Sequence, residues 1–339
     1  MALHNRSMNT GPNTLQEAIA FFENPDNCID YLVARRWPNG VVCPTCRRTD
    51  VTYIPARRVW QCKTRHKKCQ FSVKVGTVCE DSPIPLKSWL MAMWMIANCR
   101  NGVSSYEISR AIGITQKSAW FMLHRIRLAM KPHEDGTKLG GVDSAAVEVD
   151  ESFVGGKMKN MHRNRAMQIR AQQPVDRMEG YETRLDNKTP VVGIFDRESR
   201  QVRAKVVPNV KRETLQNEIL RNVKYGSAVY TDEAVAYDNL KRRYIHETVN
   251  HAETYVNGQV HTNCLENFWS LMKRNLSGTY VAVEPFHLDR YLDEQVFRFN
   301  NRINKKDGDR FSKVVTQILG KRLTYAELTG KTQELARPF

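Results

Sequence analysis

The stretch His261–Arg274, HTNCLENFWSLMKR, constrains this chain more than any other. Its apolar residues Leu265, Phe268, Trp269 and Met272 recur at i, i+3, i+4 and i+7, which makes it a helix with one buried face. Asn263 has the side chain of an N-cap. Glu266 and Lys273 stand two helical turns apart and project to nearly the same side. Glu266 also lies near the helix N-terminus, where the macrodipole favours a carboxylate. A carboxylate and a cation stacked in this way can hold a divalent metal and a phosphate. An ordinary surface helix carries similar charges, so the weight of this reading comes from what precedes it.

The 339 residues suffice for two or three domains. Lysine and arginine exceed aspartate and glutamate by sixteen, a balance that points to a polyanionic partner, nucleic acid before membrane. No apolar run approaches the ~20 residues of a spanning helix, and the polar N-terminus lacks a signal-peptide core. A cytoplasmic protein is expected, in which eight cysteines serve as metal ligands and buried thiols rather than disulfides.

Two short amphipathic helices are predicted over Thr14–Phe22 and Asn27–Arg36. Cys43-Pro-Thr-Cys46 is a C-x2-C knuckle whose thiolates can share one zinc. Cys62 is the third ligand, and the fourth is either His66, at the tighter spacing, or Cys69, with the softer donor. Eleven Lys/Arg and a single acid, Asp50, lie between Tyr31 and Val75, which suits DNA contact. Residues 1–82 are thus read as N-terminal helices and a zinc ribbon.

Residues 83–135 read as a helix-turn-helix segment. Leu86–Ala97 is apolar nearly all round and predicted buried. Ser104-Ser105-Tyr106-Glu107 has the form of a capping box, opening a helix that stops at Gly113. A second helix starts at Gln116, with Ala119, Met122, Leu123, Ile126 and Met130 on its inner face. Gln116, Lys117, Trp120 and Arg127 are the residues it would offer to DNA.

Beyond a linker at Lys131–Val142, strands alternate with helices. Val147–Val154 is a strand with Glu148, Asp150 and Ser152 on one face. An aspartate inside an apolar strand is costly unless something binds it. Val191–Asp196 and Gln201–Val207 form a hairpin, Lys211–Val223 a helix, and Ala228–Asp232 a strand ending on Asp232. A helix is predicted from Tyr237 to Tyr244, an irregular stretch from His246 to Val260, a helix packing under the sheet over His287–Asn301, and one more over Ser312–Leu319. Lys157–Thr189 reads as a long basic loop, either a DNA clamp or disordered. Acids at the first strand, at the later strand and on the following helix are the order of a ribonuclease-H-like core. In such a core Asp150, Asp232 and Glu266 converge on two Mg2+ ions for in-line displacement at phosphorus. The fold class expected is therefore α/β, a ribonuclease-H-like catalytic core over residues 143–305 preceded by the ribbon and the helix-turn-helix, with a helical tail at 306–339.

The motifs CPTC with WQC, QFSVKVGT, EDSPIPL, SSYEI, GITQKSAWFMLHRIR, VEVDESFVGGK, TPVVGIFDR, VYTDEAVAY, HTNCLENFWSLMKR and FRFNNR together resemble the DDE transposases of bacterial insertion sequences that carry a zinc ribbon, the ISXO2-like group. The resemblance runs from about Thr14 to Arg302. It implies an enzyme that binds terminal inverted repeats, cuts at the element ends and joins them to target DNA, using Mg2+ or Mn2+ and Zn2+. It also implies a homo-oligomer in the synaptic complex and a nucleoid location. Asp150, Asp232 and Glu266 match the catalytic acids, and Lys273 matches the basic residue on the same helix. The second knuckle, CKTRHKKC, departs from a plain C-x2-C and leaves the fourth zinc ligand open.

Two other functions are compatible with these residues: a ribonuclease-H-fold nuclease or resolvase, and a zinc-ribbon regulator with an inactive core. Around the site, Glu148 reads as a strand-end charge and Glu151 as facing away from Asp150. His261 reads as a helix cap before an aid to proton transfer, Cys264 has no assigned role, and Asp143 and Asp238 read as solvated.

Overall fold

The structure, a computed structural model, describes residues 11–131, 136–142, 144–156, 163–164, 167, 188–232, 235–237, 239–249, 260–303 and 305–331. Most of the basic loop, the stretch 250–259, Asp143 and Asp238 lie outside them. The chain divides into two compact units. One comprises Met1–His133, Ser277–Val281 and Asp293–Phe339, the other Glu134–Leu276 and Ala282–Leu292.

In the first unit, helices α1 (Leu15–Phe22) and α2 (Pro25–Arg36) precede a three-stranded antiparallel sheet, β1 (Val51–Ile54), β2 (Val59–Cys62) and β3 (Gln70–Phe71). So small a sheet has little core. Trp37, Tyr53, Trp60 and Phe71 pack ring on ring there, with Trp60 and Phe71 stacked at 6.0 Å. Helix α3 (Leu86–Asn98) is buried through Trp89, Leu90, Met93, Trp94 and Ile96, as its unbroken apolar run predicts. Helices α4 (Ser105–Ile112) and α5 (Gln116–Met130) follow. The capping box forms: Ser104 Oγ accepts the Glu107 N–H, and the Glu107 carboxylate accepts that of Ser104. Gly113 closes α4 at φ 67°, a conformation that favours glycine. Ala119, Met122, Leu123, Ile126 and Met130 are buried as expected.

The second unit holds a five-stranded sheet. Its strands are β4 (Val147–Val154), β5 (Thr189–Asp196), β6 (Gln201–Val206), β7 (Ala228–Asp232) and β8 (Ile245–Val249), in the order β6-β5-β4-β7-β8. The β4, β5 and β6 strands are antiparallel, while β7 runs parallel to both β4 and β8. Three antiparallel strands extended on one side by parallel strands, with helix α6 (Arg212–Asn222) as crossover, is the ribonuclease-H-like arrangement. Val147, Val149, Val192 and Ile194 form its core with Leu215, Ile219 and Tyr237. Helix α7 (Asn263–Asn275) follows.

Several expectations are corrected. In place of the helix expected over Tyr237–Tyr244, the described residues hold 3-10 turns at Val235–Tyr237 and Leu240–Arg242, the second preceded by Asn239 at φ 71°. The stretch after it starts with strand β8 rather than irregular chain, because Ile245–Val249 finds a parallel partner in β7. Helix α8 (Leu288–Asn300) belongs to the second unit only through Leu292. From Asp293 it belongs to the first unit, where Phe297 enters the core. Helices α9 (Asp307–Gln317) and α10 (Tyr325–Leu328) complete the first unit. Among the described residues no helix is long and apolar enough to cross a membrane.

Candidate active site and metal centre

Glu148 and Asp150 alternate with Val147 and Val149 along β4, so both acids share the face opposite the valine core. The β4–β7 register sets Val147 beside Val229 and Glu148 beside Tyr230. Carried along both strands, it brings Asp150 level with Asp232. The two carboxylates interact: burial first, then the charges of Asp232 and Glu151, push the Asp150 carboxyl up to about 7. Two donors offset this in part. The Trp269 indole N–H reaches Asp150 Oδ2 at 2.9 Å, and the Glu151 N–H reaches Oδ1 at 2.8 Å. The Thr262 hydroxyl lies 3.5 Å from Asp232 Oδ1.

Glu151 points to the other face, as expected, where the Tyr237 hydroxyl donates to it. Burial raises its pKa, and the tyrosine bond opposes that.

Glu266 and Lys273 are exposed on α7, and Leu265, Phe268, Trp269 and Met272 are buried, as the periodicity requires. Glu266 lies one helical turn before Trp269, the residue that holds Asp150. Asp150, Asp232 and Glu266 do not form a closed cluster: among the described residues, no three acids bring their oxygens within 4.8 Å of one another.

The start of α7 departs from the sequence reading. Asn263 is the first helical residue, not the cap, and Thr262 at the cap position makes no side-chain capping bond. The cap comes from β4. Glu148 Oε2 accepts the backbone N–H groups of Cys264 at 3.0 Å and Leu265 at 3.2 Å. Its Oε1 accepts from Arg197 Nε at 2.7 Å. Glu148 is therefore no strand-end charge but a fully buried carboxylate, 0% exposed. His261 is not the cap either. Arg197 Nη2 donates to its carbonyl at 2.8 Å and lies 2.7 Å from its Nδ1. The same Nδ1 lies 3.6 Å from Glu148 Oε1. The Arg197 guanidinium also covers the Tyr230 ring at 5.0 Å.

In the ribbon, the ligand atoms of Cys43, Cys46, Cys62 and His66 all lie within 4.8 Å of one another. Cys43 Sγ is 3.5 Å from His66 Nε2, and Cys46 Sγ is 3.5 Å from Cys62 Sγ. Three thiolates and an imidazole form a zinc donor set. Cys69 stands outside this group; its carbonyl accepts from the Cys62 N–H at 2.8 Å. Arg47, at φ 60°, shapes the knuckle by donating its N–H to the Cys43 carbonyl at 2.8 Å.

On α5, Gln116 is half-buried, and its amide donates to Ser105 Oγ at 2.9 Å. Lys117 is exposed and lies over the Tyr325 ring at 5.0 Å. Trp120 packs edge-on against His124. Arg127, expected among the DNA contacts, is instead 1% exposed and bonded to Glu294 at 2.7 Å. Burial opposes a charge on Glu294, but Arg298 and Arg127 beside it hold its carboxyl below the usual range.

Residues 138–300 match the family model of the ISXO2-like transposase domain, and residues 23–70 that of the transposase zinc-ribbon domain. The chain is 28% identical over 310 residues to an uncharacterised protein in transposable element ISH50 of Halobacterium salinarum, covering 88% of this chain and 98% of that protein. It is also similar to a chain of a cryo-EM structure of the simian T-cell lymphotropic virus intasome in complex with PP2A regulatory subunit B56 gamma. There the identity is 12%, the cover 62% of this chain and 69% of that one, and the TM-score 0.27.

Proposed function

We propose, from the matches of residues 138–300 and 23–70 to the ISXO2-like transposase and zinc-ribbon family models, that the chain is a transposase that binds the terminal inverted repeats of an insertion sequence, cuts at the element ends and joins the freed 3′-hydroxyls to target DNA. The observation that carries this reading is the pairing of Asp150 with Asp232, level on adjacent parallel strands, with the Asp150 carboxyl pushed up to about 7 by burial and by its neighbour. Such a pair is a hard-oxygen donor set short of positive charge, which fits Mg2+ or Mn2+. Asp150, Asp232 and Glu266 would hold two such ions. Bound there, they would supply activation of a water or 3′-hydroxyl and charge stabilisation at the leaving oxygen.

The chain's own part is orientation. Trp269 and the Glu151 N–H each occupy one oxygen of Asp150 and fix its carboxylate plane, and each oxygen keeps a lone pair for a cation. Lys273, exposed on the helix of Glu266, contacts a DNA phosphate. The basic ribbon, stapled by zinc on Cys43, Cys46, Cys62 and His66, supplies further phosphate contacts, whose strength falls with salt. Gln116 and Lys117 at the start of α5 read base edges. Two element ends must be held together for joining, which calls for a homo-oligomer in the cytoplasm at the nucleoid.

Strand transfer by the purified protein on pre-cleaved terminal-repeat ends tests this reading. Asp150→Asn, Asp232→Asn and Glu266→Gln should bind those ends normally yet not join them. Joining at the parental rate by the two aspartate variants would place the chemistry elsewhere.

A further inference from the structure

We infer that Glu148 is a positioning residue for the proposed reaction: its buried carboxylate anchors the first turn of α7 to β4 and so sets the direction in which Glu266 projects. The inference rests on the reading of Asp150, Asp232 and Glu266 as the reacting site.

The geometry has two pins. Glu148 and Asp150 are two residues apart on one face of β4, roughly 7 Å along the strand. Helix α7 meets both. Its first-turn N–H groups, at Cys264 and Leu265, converge on Glu148 Oε2, and its Trp269 indole reaches Asp150 Oδ2. Glu266 lies between these contacts in sequence. One contact alone would let the helix slide or turn about its axis. The two together fix both its height on the strand and its rotation, and the rotation decides where Glu266 points.

Glu148 suits this task chemically. A helix start presents unsatisfied N–H groups and a partial positive charge, and a carboxylate answers both. Thr262 at the cap position makes no such bond. A carboxylate at 0% exposure is costly without partners, and here Arg197 supplies one at 2.7 Å. Arg197 in turn holds the His261 carbonyl, two residues before the helix. The pin therefore grips both the last residues of the incoming chain and the first turn.

The test uses the full chain with Glu148→Gln, which keeps the side chain's length and removes its charge, and Glu148→Ala, which removes the acceptor. Four quantities are read: thermal unfolding, affinity for terminal-repeat DNA, hydrogen exchange at the Cys264 and Leu265 amides, and the single-turnover joining rate on pre-cleaved ends. For Glu148→Gln, DNA affinity should stay near parental, the melting temperature should fall because Arg197 loses its buried counter-charge, the two amides should exchange faster, and joining should slow by about 10–100-fold, the usual cost of losing a group that orients a metal ligand. Glu148→Ala should be slower still where it folds. Parental exchange and joining in Glu148→Gln overturn the inference. So does a loss of joining matched by an equal loss of DNA affinity, because the role is then only structural. Asp150→Asn is assayed alongside: if it joins ends at the parental rate, the active-site reading fails and this inference falls with it. If Asp150→Asn is inactive while Glu148→Gln is parental, only the positioning role falls.

Discussion

Trp269 lies against the bare Cα of Gly193: a Cβ there would stand 2.5 Å from Trp269 Cζ2 and 3.0 Å from Leu265 Cδ2. Gly193 pairs with Asp150 across the β4–β5 ladder, so the indole that bonds Asp150 fits because the neighbouring strand has no side chain at that level. Gly193→Ala should push α7 off the sheet. Overpacking of this kind costs about 1–3 kcal/mol, and the Trp269–Asp150 bond should lengthen or break. Urea unfolding should show the lost stability, and strand transfer should fall by more than DNA affinity does. Parental stability together with parental transfer would mean that α7 tolerates the extra methyl and that the close approach is incidental.

Much of the site was legible in the chain because it is written in local patterns. The periodicity of Leu265, Phe268, Trp269 and Met272, the alternation around Asp150 and the Ser104–Glu107 box each concern neighbours a few residues apart. What escaped is non-local. Glu148 looks like a loose charge until Arg197, 49 positions on, and the N–H groups of α7 close around it. Strand β8 escaped because IHETV alternates weakly, and only pairing with β7 makes it a strand. Nothing in the sequence of β5 marks Gly193 as the place where Trp269 and Leu265 pack. Arg127 was readable in part: it is four residues after Leu123 and three before Met130, on the margin of the buried face. Its partner Glu294 lies 167 positions away, beyond any pattern in α5.

The burial of Arg127 separates two kinds of change in α5. Arg127→Ala leaves Glu294 and Arg298 in a buried network without its second cation. Removing one partner of such a pair costs about 3–5 kcal/mol. Urea unfolding should therefore reveal a large loss of stability, with discrimination between terminal-repeat and random DNA unchanged in whatever remains folded. Gln116→Ala with Lys117→Ala should do the reverse, relaxing discrimination with little loss of stability. A stable Arg127→Ala protein with relaxed specificity would return that arginine to the DNA surface.

Zinc in the ribbon should depend on His66 and not on Cys69. The His66 imidazole is 3.5 Å from Cys43 Sγ, whereas Cys69 lies outside the group and contributes its backbone to the ribbon. Metal analysis of the whole chain should find close to one zinc per molecule. Cys69→Ser should retain it. His66→Ala should release it at far lower chelator concentrations, because a tetrahedral structural site tolerates the loss of a ligand poorly. Zinc lost from Cys69→Ser and kept by His66→Ala would reverse the assignment.

The raised pKa of Asp150 makes stability depend on pH with a definite sign. Its carboxyl moves from the ordinary 3.8 to about 7 in the folded protein, driven by burial and then by Asp232 and Glu151. The folded state therefore holds a proton that the unfolded chain releases. The resulting stabilisation is fully present below about pH 4 and is lost as the pH rises through about 7. Above that, a charged Asp150 faces a charged Asp232 in a buried setting, and the protein without added divalent cation carries the repulsion. Asp150→Asn removes it. The variant should thus gain thermal stability over the parent at pH 8, and the gap should shrink or vanish at pH 5. Added Mg2+ should act in the same window. A cation competes with the proton for the carboxylate, so it should raise the parental melting temperature more at pH 8 than at pH 5 and leave Asp150→Asn nearly unchanged. Thermal melts at the two pH values, with and without Mg2+, check both statements. An Asp150→Asn advantage that is the same at pH 5 and pH 8 would mean that Asp150 does not titrate in this range, and a Mg2+ effect of equal size in parent and variant would mean that it does not bind the ion.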